Sequence, residues 1–189
     1  MYTAATFIPL AIAMPATFHY VTFDLPGHGH SDTMPGPPIS PLHLVEAIRQ
    51  MVEQLRWDSF YCVAHSMGYL ISEYFKLYRR RLQVRFAVVA ALIGPQALLP
   101  AAIFLNTHRI DYLVYSILST PTPTLCLVPT EDKTPSMFFD CHVNMLVKLT
   151  NERFVLVSVP GGHSVHLTNP EFIVPHIVKF FNEDVRSKL

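Results

Sequence analysis

The alternation of short apolar runs with helical stripes constrains this chain most. Runs of strand length stand at His19 to Leu25, Phe60 to Ala64, Phe86 to Ile93, Thr124 to Val128 and Arg153 to Val159, most of them rich in valine, phenylalanine or tyrosine. Between the first two, Val45, Ile48, Val52 and Leu55 fall on one helical face, with Ser40 placed to cap it and Pro41 suited to the first helical position. After the second run, Leu70, Ile71, Tyr74, Phe75 and Tyr78 form another stripe, ending in the solvated run Arg79 to Arg81. Hairpin signals are lacking, and a chain that crosses over through helices returns its strands parallel. The expected class is therefore α/β, a mostly parallel sheet flanked by helices. A final stripe, Phe172, Ile173, Ile177 and Phe180, opens well at Asn169 and Pro170 but has Pro175 inside it, so that helix kinks or starts late. The proline- and glycine-dense stretch Met34 to Pro41 must be a loop.

A chain of 189 residues without internal repeats reads as one domain over 1–189, large enough to bury a core without disulfides or metals. Its 14 Lys plus Arg balance 14 Asp plus Glu, so no basic footprint points to nucleic acid, and a neutral small-molecule or ester-like substrate fits better. Cys62, Cys126 and Cys141 have no metal-ligand spacing, and the first two lie in apolar runs, which reads as reduced thiols in an intracellular protein. The apolar start, Thr6 to Phe18, lacks a preceding Lys or Arg and is interrupted by Pro9 and Pro15, which argues against a secretory signal. Phe86 to Leu105 has the length of a membrane span, with basic residues before it. Gly94-Pro95 and Pro100 punctuate it, however, and a fully buried parallel strand followed by a turn explains the same letters. A membrane anchor there would predict retention in a detergent phase.

Chemistry concentrates at Ala64-His65-Ser66-Met67-Gly68, between a predicted strand and an amphipathic helix. Such a sharp turn, the G-x-S-x-G elbow, needs small residues two positions either side of the serine and leaves its Oγ projecting above the sheet. Alanine at 64 is a departure, though a small one. The Met67 backbone N–H, at the helix start, would donate to an oxyanion. The bland alternative is a serine that caps a helix. A serine nucleophile needs a base, and Gly161-Gly162-His163 follows the last predicted strand, where a loop histidine can reach the carboxyl edge of a parallel sheet. His166 is its rival, amid Val165 and Leu167. The base needs an orienting carboxylate after an earlier strand. Asp132 is the natural choice, with Glu131 beside it, unless both are polar turn residues. The order Ser66, Asp132, His163 is that of a serine-first triad.

The segment Tyr20-Val21-Thr22-Phe23-Asp24-Leu25-Pro26-Gly27-His28-Gly29-His30-Ser31-Asp32 resembles the D-x-x-G-x-G-x-S signature upstream of the elbow in α/β-hydrolases. With the elbow, the strand and acid turn over Thr124 to Asp132, and the histidine loop over Val159 to Pro170, the chain is similar to that superfamily over most of its length, and within it to the serine hydrolase-like proteins. The resemblance implies an eight-stranded core, an esterase-like activity without cofactor, and a triad at Ser66, Asp132 and His163. Serine at the elbow speaks against the aspartate-based dehalogenase and epoxide-hydrolase branches. Members of the family carry earlier strands and a His-Gly loop that gives a second oxyanion donor. Residues 1–19 hold no His-Gly pair. Loss of one such donor costs about a hundredfold to a thousandfold in rate. Members also insert a helical cap where this chain has a reduced one over 95–121, for instance a helix within Gln96 to Leu118. The chain thus reads as a shortened member, a splice variant, fragment or partial gene model, lacking the first strands and most of the cap. A sheet without its first strands exposes an apolar edge and is expected to be unstable, to dimerise or to aggregate.

Arg186 is followed by Ser187-Lys188-Leu189, a terminal triplet that the peroxisomal import receptor reads as an address, unless it is an accidental basic tail. The expectation is a peroxisomal protein, the cytoplasm being the further location left open, whose partners are that receptor and a small acyl substrate. Two functions fit the sequence. One is a serine hydrolase acting on an ester, thioester or amide. The other is a catalytically inactive hydrolase-fold protein with a binding or regulatory role.

Overall fold

The computed structural model describes residues 3–33, 40–66, 68, 71–72, 74–75, 83–89, 122–132 and 154–186. Two compact units emerge, one from Met1–Trp57 with Ser164–Leu189, the other from Asp58–His163.

Among the described residues the second unit holds a four-stranded parallel sheet, β1 (Ser59–His65), β2 (Gln83–Val89), β3 (Thr124–Pro129) and β4 (Phe154–Val159), in that spatial order. Register aligns the carboxyl ends: His65 sits opposite Val89, Val89 opposite Leu127, and Pro129 opposite Val159. Every residue of β3 is buried, as expected for a strand covered on both faces, which is why Leu125, Cys126, Leu127 and Val128 form an unbroken apolar run. Burial of each Leu or Val there contributes about 1.5–3 kcal/mol. Past β1 the chain turns at Ser66 into helical residues, of which Ile71, Tyr74 and Phe75 are buried as their stripe predicts. Phe75 sets its ring 6.2 Å from that of Phe60 on β1, which fixes the helical turn to the sheet. The run at 86–93 is seen as strand to Val89. Residues 90–105, the reduced cap at 95–121 and Cys141 lie outside the described residues.

In the first unit a 3-10 turn (Ala4–Phe7) leads into α1 (Ile8–Ala13), which accepts Pro9 in its first turn, where the missing N–H costs no intrahelical bond. It ends at Met14, held extended (ψ 157°) by the following Pro15. Helix α2 (Pro41–Gln54) begins as predicted at Ser40, whose N–H donates to His43 Nδ1 at 3.1 Å, and buries Leu44, Val45 and Val52. It closes with Arg56 at φ 54°, Arg56 N–H donating to the Glu53 carbonyl and Trp57 N–H to that of Val52, a Schellman pattern built on arginine where glycine is usual. After α3 (Val165–Thr168) and a 3-10 turn (Pro170–Phe172), α4 (Val174–Arg186) starts late, with Pro175 in its first turn. Its core stripe is Ile173, Ile177 and Phe181, spaced by four, so the sequence pattern is corrected at its ends: Phe172 is exposed and Phe180 only half-buried.

The strand expected at 19–25 is absent. An extended segment becomes a strand only through a ladder with a neighbour, and among the described residues none pairs with this one. Asp24 instead organises it as a clasp. Its Oδ1 accepts the Ala4 N–H at 2.6 Å, its Oδ2 accepts the His30 N–H at 2.9 Å, and its carbonyl accepts the Ser31 hydroxyl at 2.6 Å. A Cβ on Gly29 would stand 2.2 Å from Asp24 Oδ2, so only glycine lets the loop close on the carboxylate. The two amides hold the Asp24 carboxyl below its ordinary pKa.

Candidate active site

Ser66 follows the last residue of β1 at φ 54°, the left-handed region that a residue with a Cβ enters at a cost of about 1–2 kcal/mol. Strain of this kind persists only where the surroundings enforce it, and here a strand on one side and a helix on the other do so. Ala64 fits the turn: its Cβ lies 3.8 Å from where a Cβ on Gly68 would stand, an ordinary contact.

Asp132 and His163 arrive from neighbouring strands. Beyond the ends of β3 and β4 the two chains remain joined, Thr130 N–H donating to the Val159 carbonyl at 2.9 Å and Glu131 N–H to the Gly161 carbonyl at 3.0 Å. Gly161 sits at φ 103°, a conformation that residues with a Cβ rarely adopt, which turns the chain toward the sheet edge. The Asp132 side chain is only 2% exposed, and its Oδ2 accepts the Nδ1–H of His163 at 2.8 Å. Donation through Nδ1 leaves Nε2 as the acceptor, and Nε2 faces Ser66 Oγ at 3.2 Å. The three groups thus form a continuous line in which the serine proton can pass to an imidazole whose incipient charge meets a buried carboxylate. A gap of 3.2 Å is slightly long, as is common without substrate.

Of the predicted residues, the structure brings Ser66, Asp132 and His163 together. Glu131, the other candidate acid, is exposed, and the rival histidine, His166, is fully buried in α3 with its ring 4.8 Å from that of Phe7. Met67 and the terminal Ser187, Lys188 and Leu189 lie outside the described residues. One contact goes beyond the sequence expectations. His65 Nε2 lies 2.8 Å from the main-chain oxygen of His163, with the two rings 4.8 Å apart at 60°. Its only sequence signal is adjacency to Ser66. Among the described residues there is no cluster of His, Cys, Asp or Glu fit to hold a metal, and no helix is long and apolar enough to cross a membrane.

A family model described as alpha/beta hydrolase fold matches residues 4–83. Two human proteins, Serine hydrolase-like protein and Serine hydrolase-like protein 2, are each 36% identical over 73 residues. That stretch is 38% of this chain and takes in 36% of the first relative and 23% of the second. Among solved structures, a hypothetical protein of Pseudomonas aeruginosa PAO1 superposes with a TM-score of 0.76 at 18% identity, over 95% of this chain and 88% of that one. A marine microorganism esterase gives 0.69 at 15% identity (94% and 90% covered), and E-2-(acetamidomethylene)succinate hydrolase gives 0.69 at 19% (95% and 87%). Identities this low speak of the fold. The chain has the α/β-hydrolase fold, with parallel strands and flanking helices.

Proposed function

We propose that the chain is a serine hydrolase that cleaves an ester, thioester or amide through an acyl-enzyme. Ser66 Oγ attacks the carbonyl carbon while His163 Nε2 takes its proton, and Asp132 holds the ring in the Nδ1–H form and stabilises the imidazolium. The tetrahedral oxygen is met by the backbone N–H of Met67. His163 then returns the proton to the leaving group, and a water molecule, deprotonated by the same imidazole, releases the acid and frees Ser66. No cofactor enters.

The observation that carries this reading is the unbroken series from Ser66 Oγ to His163 Nε2 and from His163 Nδ1 to the buried Asp132. The strained φ of Ser66 supports it, since a helix-capping serine is ordinarily extended and has no need of a left-handed backbone. The likeness to an esterase and to a succinate-derivative hydrolase agrees with hydrolysis as the class of reaction.

Labelling of the purified chain with a fluorophosphonate probe tests it. Labelling that disappears in Ser66→Ala and weakens in His163→Ala is the expected result. A folded chain that takes no label would overturn the reading, in favour of an inactive hydrolase-fold protein that acts through binding.

A further inference from the structure

We infer that His65 is the positioning residue for the base, its ring N–H bonding the main chain of His163 and so holding that imidazole within reach of Ser66. The inference rests on the serine hydrolase reading of the same site.

The need for such a brace follows from how His163 is delivered. It stands behind two consecutive glycines, Gly161 and Gly162; past the bond from Glu131 to the Gly161 carbonyl, a Cβ on Gly162 would meet nothing within 4 Å, so no packed side chain confines that last step into His163. Its ring is held at Nδ1 by Asp132 at 2.8 Å and meets Ser66 Oγ at Nε2 across a longer 3.2 Å, but neither bond fixes the backbone that carries the ring. The bond from His65 Nε2 to the His163 carbonyl, at 2.8 Å, supplies the second fixed point, on the backbone of the base itself.

The other end of the brace is firm. His65 is the last residue of β1, in register with Val89 of β2, and is largely buried. It is also covalently next to Ser66. The bond therefore ties the frame that carries the nucleophile directly to the residue that carries the base, two residues 97 positions apart in the chain. A carbonyl can only accept, so the proton of this bond resides on His65 Nε2. The tilted contact of the two rings, 4.8 Å between centroids, further limits how far the His163 imidazole can turn.

Two substitutions separate the hydrogen bond from the volume. His65→Phe keeps a ring of similar size without the donor, and His65→Gln keeps an N–H donor of similar reach. Two readouts are needed: the fluorophosphonate labelling rate, and the His163 Nδ1–H resonance in protein carrying 15N-histidine. His65→Phe is expected to slow labelling by about ten- to a hundredfold, the range that a displacement of around 1 Å can cost, and to broaden the resonance while the thermal midpoint stays close to that of the wild type. His65→Gln is expected to restore both. If His65→Phe does not fold, His65→Asn replaces it, its shorter amide falling short of the carbonyl. A donor-less variant that labels at the wild-type rate with an unchanged resonance would overturn the inference, as would a glutamine variant as impaired as phenylalanine. Absence of labelling in the wild type would overturn the hydrolase reading alone, because the resonance still decides whether His65 orders His163.

Discussion

Glu131 donates its backbone N–H to the carbonyl of Gly161 at 3.0 Å, one step beyond the bond from Thr130 to Val159. The β3–β4 ladder thus runs on past the last residues of the sheet, into the two loops that hold Asp132 and His163. Residues one and two positions further along are brought face to face by a main-chain ladder, and the side-chain bond between Asp132 and His163 then forms between groups already opposed. Preorganisation of this kind removes the entropy of finding the geometry from the reaction step.

That arrangement distinguishes the two glycines of the histidine loop. Alanine at 161 would be forced to φ 103°, at a cost of about 1–3 kcal/mol, and relaxation of the strain would break the bond to Glu131. Alanine at 162 meets nothing within 4 Å. Gly161→Ala is therefore expected to lower the thermal midpoint and the labelling rate together, and Gly162→Ala to leave both near wild type. Equal effects at the two positions would count against the ladder as the device that aligns the site.

The two acids of the turn make opposite predictions. In Asp132→Asn the amide can donate to His163 Nδ1, which moves the ring proton to Nε2 and leaves nothing to accept from Ser66. A loss of labelling rate on the order of 10³- to 10⁴-fold is expected from the wrong tautomer, with the fold retained. Glu131→Gln, at an exposed side chain, is expected to change the rate little. A large loss at 131 and none at 132 would reassign the acid.

The parts legible in the sequence are those that local pattern decides. The strand at 59–65, the start of α2 at Ser40 and the late start of α4 behind Pro175 each rest on residues within a few positions of one another. The order Ser66, Asp132, His163 is likewise readable, because each residue follows its own strand. The segment 19–25 misleads because its letters suit an extended chain, whereas a strand also requires a partner, and here the binding partners of the loop are the carboxyl and carbonyl groups of Asp24. The bond from His65 to His163 spans 98 positions and leaves no periodicity, so only the folded chain reveals it.

Arg56 offers a gain in stability away from the site. At φ 54° its Cβ crowds the backbone, a cost of about 1–2 kcal/mol that glycine avoids, while the Schellman bonds of Arg56 and Trp57 use only main-chain atoms and survive the change. Glycine returns part of that gain through its more flexible unfolded chain. A net stabilisation of about 1 kcal/mol is expected for Arg56→Gly, or a rise of roughly 2–4 °C in the thermal midpoint for a chain of this size. A fall in the midpoint would show that the arginine side chain contributes more than its backbone costs.

The clasp at Asp24 predicts a pH dependence of known sign. Its carboxyl is held below the ordinary value of 3.8, first by the amide of Ala4 and then by that of His30. A group whose folded pKa is depressed stabilises the fold fully above its unfolded pKa, and the contribution is lost as the pH falls through the folded value. The side-chain amide of an Asp24→Asn variant cannot ionise, so that protein lacks this contribution at every pH. The thermal midpoint of the wild type is expected to exceed that of Asp24→Asn at about pH 5, with the two converging as the pH drops below 3.8. Other carboxylates titrate equally in both proteins and cancel in the difference. Midpoints that stay parallel across that window would mean that the two amides do not hold the carboxylate, and the loop from Asp24 to Asp32 would need another explanation for its closure on Ala4.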